Sequence, residues 1–292
     1  MRSLALTLLF ILAWTSQAAE PVTTPWTPPW HKVEMKASKL FITTTSTVST
    51  TLLPSAAAVR QLGDAGEHRG LLPTARQTAR VEIGNSLLGR DSVTTLWLDP
   101  ADGRALQRIK VETGKKHRFK AVRFTEDGVL TRRRYPREGE EKKKPDAWSD
   151  RSEEFLSLAL GEQAVVDPTG LLYLLAIAPL KKAGDRWTAE ILADDAIHHL
   201  EVKVEAVTRI KARYTCIHSK KEQAMKGEVD ALHLTLRPRA ADGGKGSNFE
   251  FLGLEGDVDV YLHRQDRYPL MITGKIPIAG HVKIELERVE LP

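Results

Sequence analysis

The sequence predicts an all-β protein: a large antiparallel sheet, curled or forming an open barrel, with one short apolar helix. Three observations predict it. From Val33 onward, apolar and polar residues alternate with period two in about a dozen stretches. Turn dipeptides ending in glycine, Asp102-Gly103, Thr113-Gly114, Asp127-Gly128 and Ala279-Gly280, separate several of them. Only one long apolar run has helical start and stop signals. Closely spaced strands of this kind favour a sandwich or barrel over alternating strand and helix.

The chain opens with "MRSLALTLLFILAWTSQAAE". Arg2 supplies a positive end, residues 4–14 an apolar core, and Ser16-Gln17-Ala18 a small-x-small cleavage site. Residues 1–18 therefore read as a secretory signal peptide, too short for a stable membrane span. With no cysteine beside the cleavage site for a lipid anchor, the expected compartment is the bacterial periplasm. No later segment is apolar enough to be transmembrane. Residues 19–32 are Pro-rich and should form an extended lead-in, since proline removes amide donors and fixes φ. Trp26 and Trp30 are placed to pin it to a single β-rich domain spanning 33–292.

"HKVEMKASKLFITTTSTVSTTLL" opens that domain, rich in Thr, Val, Ile and Phe, which favours strand. Alternation recurs at 79–83, 93–98, 105–112, 118–124, 129–135, 187–192, 199–207, 229–236, 258–262, 270–275 and 282–289. "VVDPTGLLYLLAIAPLKKAGD" breaks the pattern. Asp167 is placed to cap a helix, Pro168 occupies its first position, and Pro179, Lys181 and Lys182 follow its end. This helix, 168–178, is apolar nearly all round, so it should plug the sheet's interior. Two polar stretches, "PREGEEKKKPDAWSDRSEE" and "RPRAADGGKGSN", are expected to be mobile loops. A short helix is expected near 56–62.

Cys216 is the only cysteine, so no internal disulfide can form. Its place in "RYTCI" suggests a buried core thiol. In "GDVDVYLHRQDRYPLMITGKI", Asp257 and Asp259 share one strand face about 7 Å apart, given a ~3.4 Å rise per residue. Carboxylates at that separation suit paired acid–base chemistry, but acids alternating with valines are also the solvated face of any half-buried strand, and that is the expectation here. "HRQD" reads as the turn that follows. His198 and His199 are adjacent and point to opposite faces. A metal site would need His199, His263 and His281 to converge from distant segments. No nucleophile elbow, phosphate loop or metal-chelating pair occurs, so neither a catalytic residue nor a cofactor is assigned.

Charge is unevenly spread. Once Arg2 is removed, 42 basic side chains stand against 38 acidic ones, yet 104–145 alone holds fifteen Lys/Arg and six Asp/Glu. "TGKKHRFKAVRFTEDGVLTRRRYPREGEEKKK" should be a hairpin turning at Asp127-Gly128. Lys115, Lys116, Arg118, Lys120 and Arg123 lie on one limb, and Arg132, Arg133, Arg134 and Arg137 on the other. Like charges facing each other cost stability unless an anion or nearby acids offset them. The anion-binding candidates are Arg132, Arg133 and Arg134 first, with Lys116, Arg118 and Lys120, because arginine forks suit phosphate. In the expected compartment the partner would be an anionic lipid, a glycan or an acidic protein rather than nucleic acid.

The Asp-Pro helix, the strand "LHLTLRP" closing on proline, the "RYPL" hairpin and the last strand "HVKIELERVEL" occur in an order that resembles the exported bacterial family catalogued as domain of unknown function 3108. The resemblance covers roughly 74–291. It implies a periplasmic, antiparallel, partly barrel-like protein and brings no catalytic residue with it. The resulting expectation is a non-enzymatic envelope scaffold that binds an amphiphile, glycan or partner protein. The alternatives are an envelope-polymer enzyme using surface carboxylates and a purely structural assembly factor.

Overall fold

The computed structural model describes residues 27–39, 42–87, 89–158, 164–193, 195–240, 249–276 and 280–292. The expected signal peptide, Trp26, the Gly-rich 241–248 segment and Ala279 of one expected turn lie outside them. Among the described residues, sixteen strands join one sheet, so the predicted all-β, curled architecture with one short apolar helix holds. The first half is a meander of β1 (Lys32–Lys39), β2 (Ile42–Pro54), β3 (Gln77–Leu87), β4 (Arg90–Leu98), β5 (Ala105–Gly114), β6 (Arg118–Phe124), β7 (Gly128–Tyr135) and β8 (Asp150–Ser157). The second half comprises β9 (Val165–Val166), β10 (Arg186–Ala193), β11 (Ala196–His218), β12 (Lys221–Ala240), β13 (Glu250–Phe251), β14 (Leu254–His263), β15 (Pro269–Ile276) and β16 (Gly280–Glu290). β16 returns to lie antiparallel beside β1 and joins the two halves.

Two short helices accompany the sheet: α1 (Ser55–Val59) and α2 (Leu171–Ile177). As the cap signals predict, the Asp167 side chain accepts from the Thr169 amide, and Pro168 begins a 3-10 turn that leads into α2. Leu171 through Ala176 are all buried. They share one core with Val33 and Met35 of β1, Leu96 and Leu98 of β4, Leu200 and Val202 of β11, and Val258 and Val260 of β14. The sheet thus wraps α2, which explains a helix with no polar face. Gly170 permits the close approach, since a Cβ there would sit 3.0 Å from both Leu96 and Leu98 side chains.

The sheet closes upon itself through its longest hairpin. β11 and β12 turn at Ser219 and Lys220, both with positive φ (50° and 64°). The tip of β11 then lies parallel to β16, with Thr215, Cys216 and Ile217 opposite Arg288, Val289 and Glu290. That contact completes a ring of β11, β12, β14, β15 and β16. Inside the closure the Tyr214 and Tyr268 hydroxyls are 2.8 Å apart, both side chains buried.

The structure corrects two loop expectations. Residues 150–154, the end of the expected charged loop, belong instead to edge strand β8, where Glu153 and Glu154 pair with Arg132 and Arg133 of β7. Opposite charges across a ladder replace the apolar alternation that signals most strands. The rest of that stretch is organised around Glu140, whose carboxylate accepts from the Arg137 and Ser149 amides and the Ser149 hydroxyl. Trp148 is buried beside it and donates to the Glu140 carbonyl oxygen. In the second stretch, strand β12 continues through Arg237–Ala240.

The segment after α1 folds over the outer face of β3–β6. Trp97 and Leu106 form a second small core there with Ala58. Arg123, one of the expected surface cations, is buried and donates to the carbonyl oxygens of Gly63, Leu71, Leu106 and Phe124. Its role is to fasten this cover.

Candidate functional site

The basic hairpin forms as expected, with β6 and β7 joined at Asp127-Gly128. Gly128 is needed there: at φ +154°, an added Cβ would lie 2.1 Å from the Leu156 carbonyl oxygen. Because residues opposite one another in an antiparallel ladder share a face, the register sorts the cations. Arg108, Val122 and Thr131 form one cross-strand row. Lys110, Lys120 and Arg133 form the next, and Glu112 faces Arg118 in the one after. Val122 belongs to the main core, so these rows lie on the inner face of the curl. Moving away from α2, that face passes from apolar to basic.

The preferred triplet Arg132–Arg134 is divided by this geometry. Arg132 and Arg134 project from the outer face. Arg132 binds Glu153 at 2.5 Å and the Asp64 carbonyl, whereas Arg134 meets Asp146 at 3.2 Å and lies over the Phe119 ring. Only Arg133 belongs to the inner face, where Glu154 holds it at 2.7 Å. Consecutive residues of a strand point to opposite sides, so the three arginines cannot converge on one ligand. Lys116 is exposed in the β5–β6 turn.

Two inner-face cations stand out. Arg108 is paired with buried Asp167 at 2.8 Å, and Lys110 with Glu112 at 2.8 Å. Among the described residues, no carboxylate lies within ion-pair distance of Arg118 or Lys120. The Arg118 Nε is buried and lacks a hydrogen-bond partner. Burial, reinforced by the charges of Arg108 and Arg133, holds the Lys120 ammonium below its usual pKa, with Asp195 of the facing β10–β11 turn opposing weakly. The arrangement is an electropositive patch in which Arg118 and Lys120 make no ion pair with a described carboxylate.

The structure places Asp257 and Asp259 on the same face of β14, whose alternate residues Val258 and Val260 are buried in the core. Asp257 is exposed, while Asp259 Oδ1 accepts from His233 Nε2 at 2.9 Å and Thr235 Oγ1 at 3.1 Å. "HRQD" is indeed a turn. His263 Nδ1 accepts the Asp266 amide, and the Arg267 guanidinium donates to the carbonyl oxygens of Leu175, Ala176, Ala178 and Leu180 at the end of α2. Nothing in the local sequence announces this long-range contact. Cys216 is half-buried against the core rather than fully inside it, and burial raises its thiol pKa. His199 pairs with Glu190, far along β11 from the turn that holds His263. Among the described residues, no cluster of three or more His, Cys, Asp or Glu is arranged to hold a metal.

His198 is buried on the inner face with neither ring nitrogen hydrogen-bonded, a burial that the adjacent pair His198-His199 does not by itself announce. A cleft of about 370 Å³ lies between residues 210–213 of β11 and β15–β16. Of its lining lysines, Lys36 and Lys283 are paired with Glu287 and Glu285, and Lys211 stands on β11. No described helix is long and apolar enough to cross a membrane.

The family described as "Protein of unknown function (DUF3108)" matches residues 74–287. The chain belongs to the DUF3108 family. No curated protein and no solved structure matches it. The matched span of this DUF3108 chain runs from β3 to β16 and includes α2, the basic inner face and the ring closure. β1 and β2 precede it, although β1 supplies the ladder that joins β16 to the first half.

Proposed function

We propose that this chain is a non-enzymatic protein of the bacterial periplasm that binds an anionic envelope component at the basic inner face of β5–β7. The compartment rests on the signal-peptide pattern of residues 1–18. One observation carries the binding reading: Arg118 and Lys120 lie two residues apart on that face and, among the described residues, neither has an ion-pair partner, since Glu112 opposite Arg118 is held by Lys110. Partly buried, unmatched cations raise the energy of the unbound protein, and an anion arriving there relieves it. The shielded face favours recognition, since charges withdrawn from bulk water are screened less by salt.

The test is co-sedimentation of purified protein with anionic and neutral vesicles at low and high salt. Selective binding to anionic vesicles, weakened by salt and lost on changing Arg118 and Lys120 together to Gln, is expected. Equal binding to both vesicle types, or no effect of the double change, would overturn the reading. Native mass spectrometry of periplasmic protein adds a direct measure, with a co-purifying anionic lipid or glycan as the expected result.

A further inference from the structure

We infer that the inner face of β6 holds a discrete site for a phosphate group, gripped by Arg118 and Lys120 with Arg133 at its side. The inference rests on the anion-binding reading above and narrows it to one chemistry. Arg118 and Lys120 are two residues apart on one strand, so they project from the same face about 7 Å apart at the base. Long side chains rooted at that spacing can meet on one tetrahedral group. Arg133 lies directly across the ladder from Lys120.

Charge decides between oxyanions. The other cations of the face already have partners: Asp167 for Arg108, Glu112 for Lys110 and Glu154 for Arg133. Two further acids border the patch, Asp150 on the edge strand opposite Tyr135 and Asp195 on the facing turn, and both are exposed. Neither forms an ion pair with Arg118 or Lys120. Two adjacent unmatched cations suit a group bearing about two negative charges. A phosphate monoester carries about −1.5 to −2 at pH 7, whereas a carboxylate carries one. The guanidinium adds directional donors, and its buried Nε awaits an acceptor. Lys120 supplies a compact charge on the same face, where burial and the neighbouring Arg108 and Arg133 charges disfavour an uncompensated ammonium.

The experiment titrates full-length mature protein with inorganic phosphate by calorimetry, alongside co-sedimentation with vesicles containing phosphatidic acid, phosphatidylserine or only phosphatidylcholine. Saturable phosphate binding is expected, weakened about tenfold or more by Arg118→Gln with Lys120→Gln, because each change removes a charge-assisted contact. Arg132→Gln with Arg134→Gln, on the outer face, should leave it within about twofold. NMR of the wild-type lysine ammonium supplies a readout independent of variant folding: the Lys120 pKa should rise when phosphate is added. Binding of both free phosphate and phosphatidic acid identifies a lipid source, and binding of free phosphate alone a soluble one. Anionic vesicles bound without saturable phosphate binding would overturn this site while leaving the broader reading standing. Failure of both measurements would overturn both.

Discussion

The Arg267 guanidinium donates to the Leu180 carbonyl oxygen at 2.7 Å, tying the β14–β15 turn to the chain that leaves α2, 87 residues earlier. The same side chain reaches Leu175, Ala176 and Ala178, so one residue satisfies carbonyls that the end of a short buried helix leaves open. A positive charge also suits the negative end of the helix dipole. The turn after "HRQD" is thus the clamp on the helix that fills the sheet.

Arg267→Ala should therefore cost about 2–4 kcal/mol of stability, since several buried carbonyls lose their donor together. Arg264→Ala, in the same turn and exposed, should change stability by no more than about 0.5 kcal/mol. Urea unfolding compares the two directly, and equal effects would refute the clamp.

The hydroxyl contact between Tyr214 and Tyr268 ties β11 to the β14–β15 turn next to the β11–β16 closure. Tyr214→Phe and Tyr268→Phe should each cost about 1 kcal/mol, and the double variant should cost little more than either alone. Additive losses in that double-mutant cycle would show that the two hydroxyls act separately.

The Glu140 carboxyl is held down to about 2, chiefly by the Arg137 and Ser149 amides that donate to it. Its ordinary value is 4.5, so the stabilisation of the 137–149 loop is fully present above 4.5 and disappears as pH falls through about 2. The indole N–H resonance of Trp148, which donates to the Glu140 carbonyl, should shift with a midpoint near 2. Glu140→Gln should abolish that titration, and a midpoint near 4.5 in the wild type would contradict the loop's geometry.

Lys120 titrates with the opposite sign of charge. Its folded pKa lies below 10.5, so the unfolded chain binds the proton more tightly, and stability rises with pH between the folded value and 10.5. In phosphate-free buffer, Lys120→Met should be more stable than wild type at pH 7, by up to about 1 kcal/mol, because like charges across a ladder are relieved. The difference should shrink as pH approaches 10.5 and when phosphate is added. A less stable Lys120→Met at pH 7 would mean that the ammonium is already satisfied.

Period-two alternation made most strands legible, because a half-buried strand needs nothing beyond its own residues to declare a face. Asp167 and Pro168 announced α2 for a similar reason: capping is local chemistry. β8 was hidden because its first five residues are polar and its acids pair with Arg132 and Arg133 across the ladder, leaving only Phe155 and Leu156 to mark a strand. The β11–β12 turn was equally silent, since Ser219 and Lys220 adopt positive φ without glycine.

The candidate site was half legible. Composition located the basic hairpin, Asp127-Gly128 placed its turn, and Arg118 and Lys120 were candidates beside the arginine triplet, but nothing local ranks them above it. The sequence by itself determined most of the strands, where the plug helix begins and which region is basic. Only the tertiary structure decided which cations lack partners, which turn clamps α2 and where the sheet closes. Local patterns report what neighbouring residues do to one another, whereas ion pairing, desolvation and closure depend on groups that the ladder brings together from distant parts of the chain.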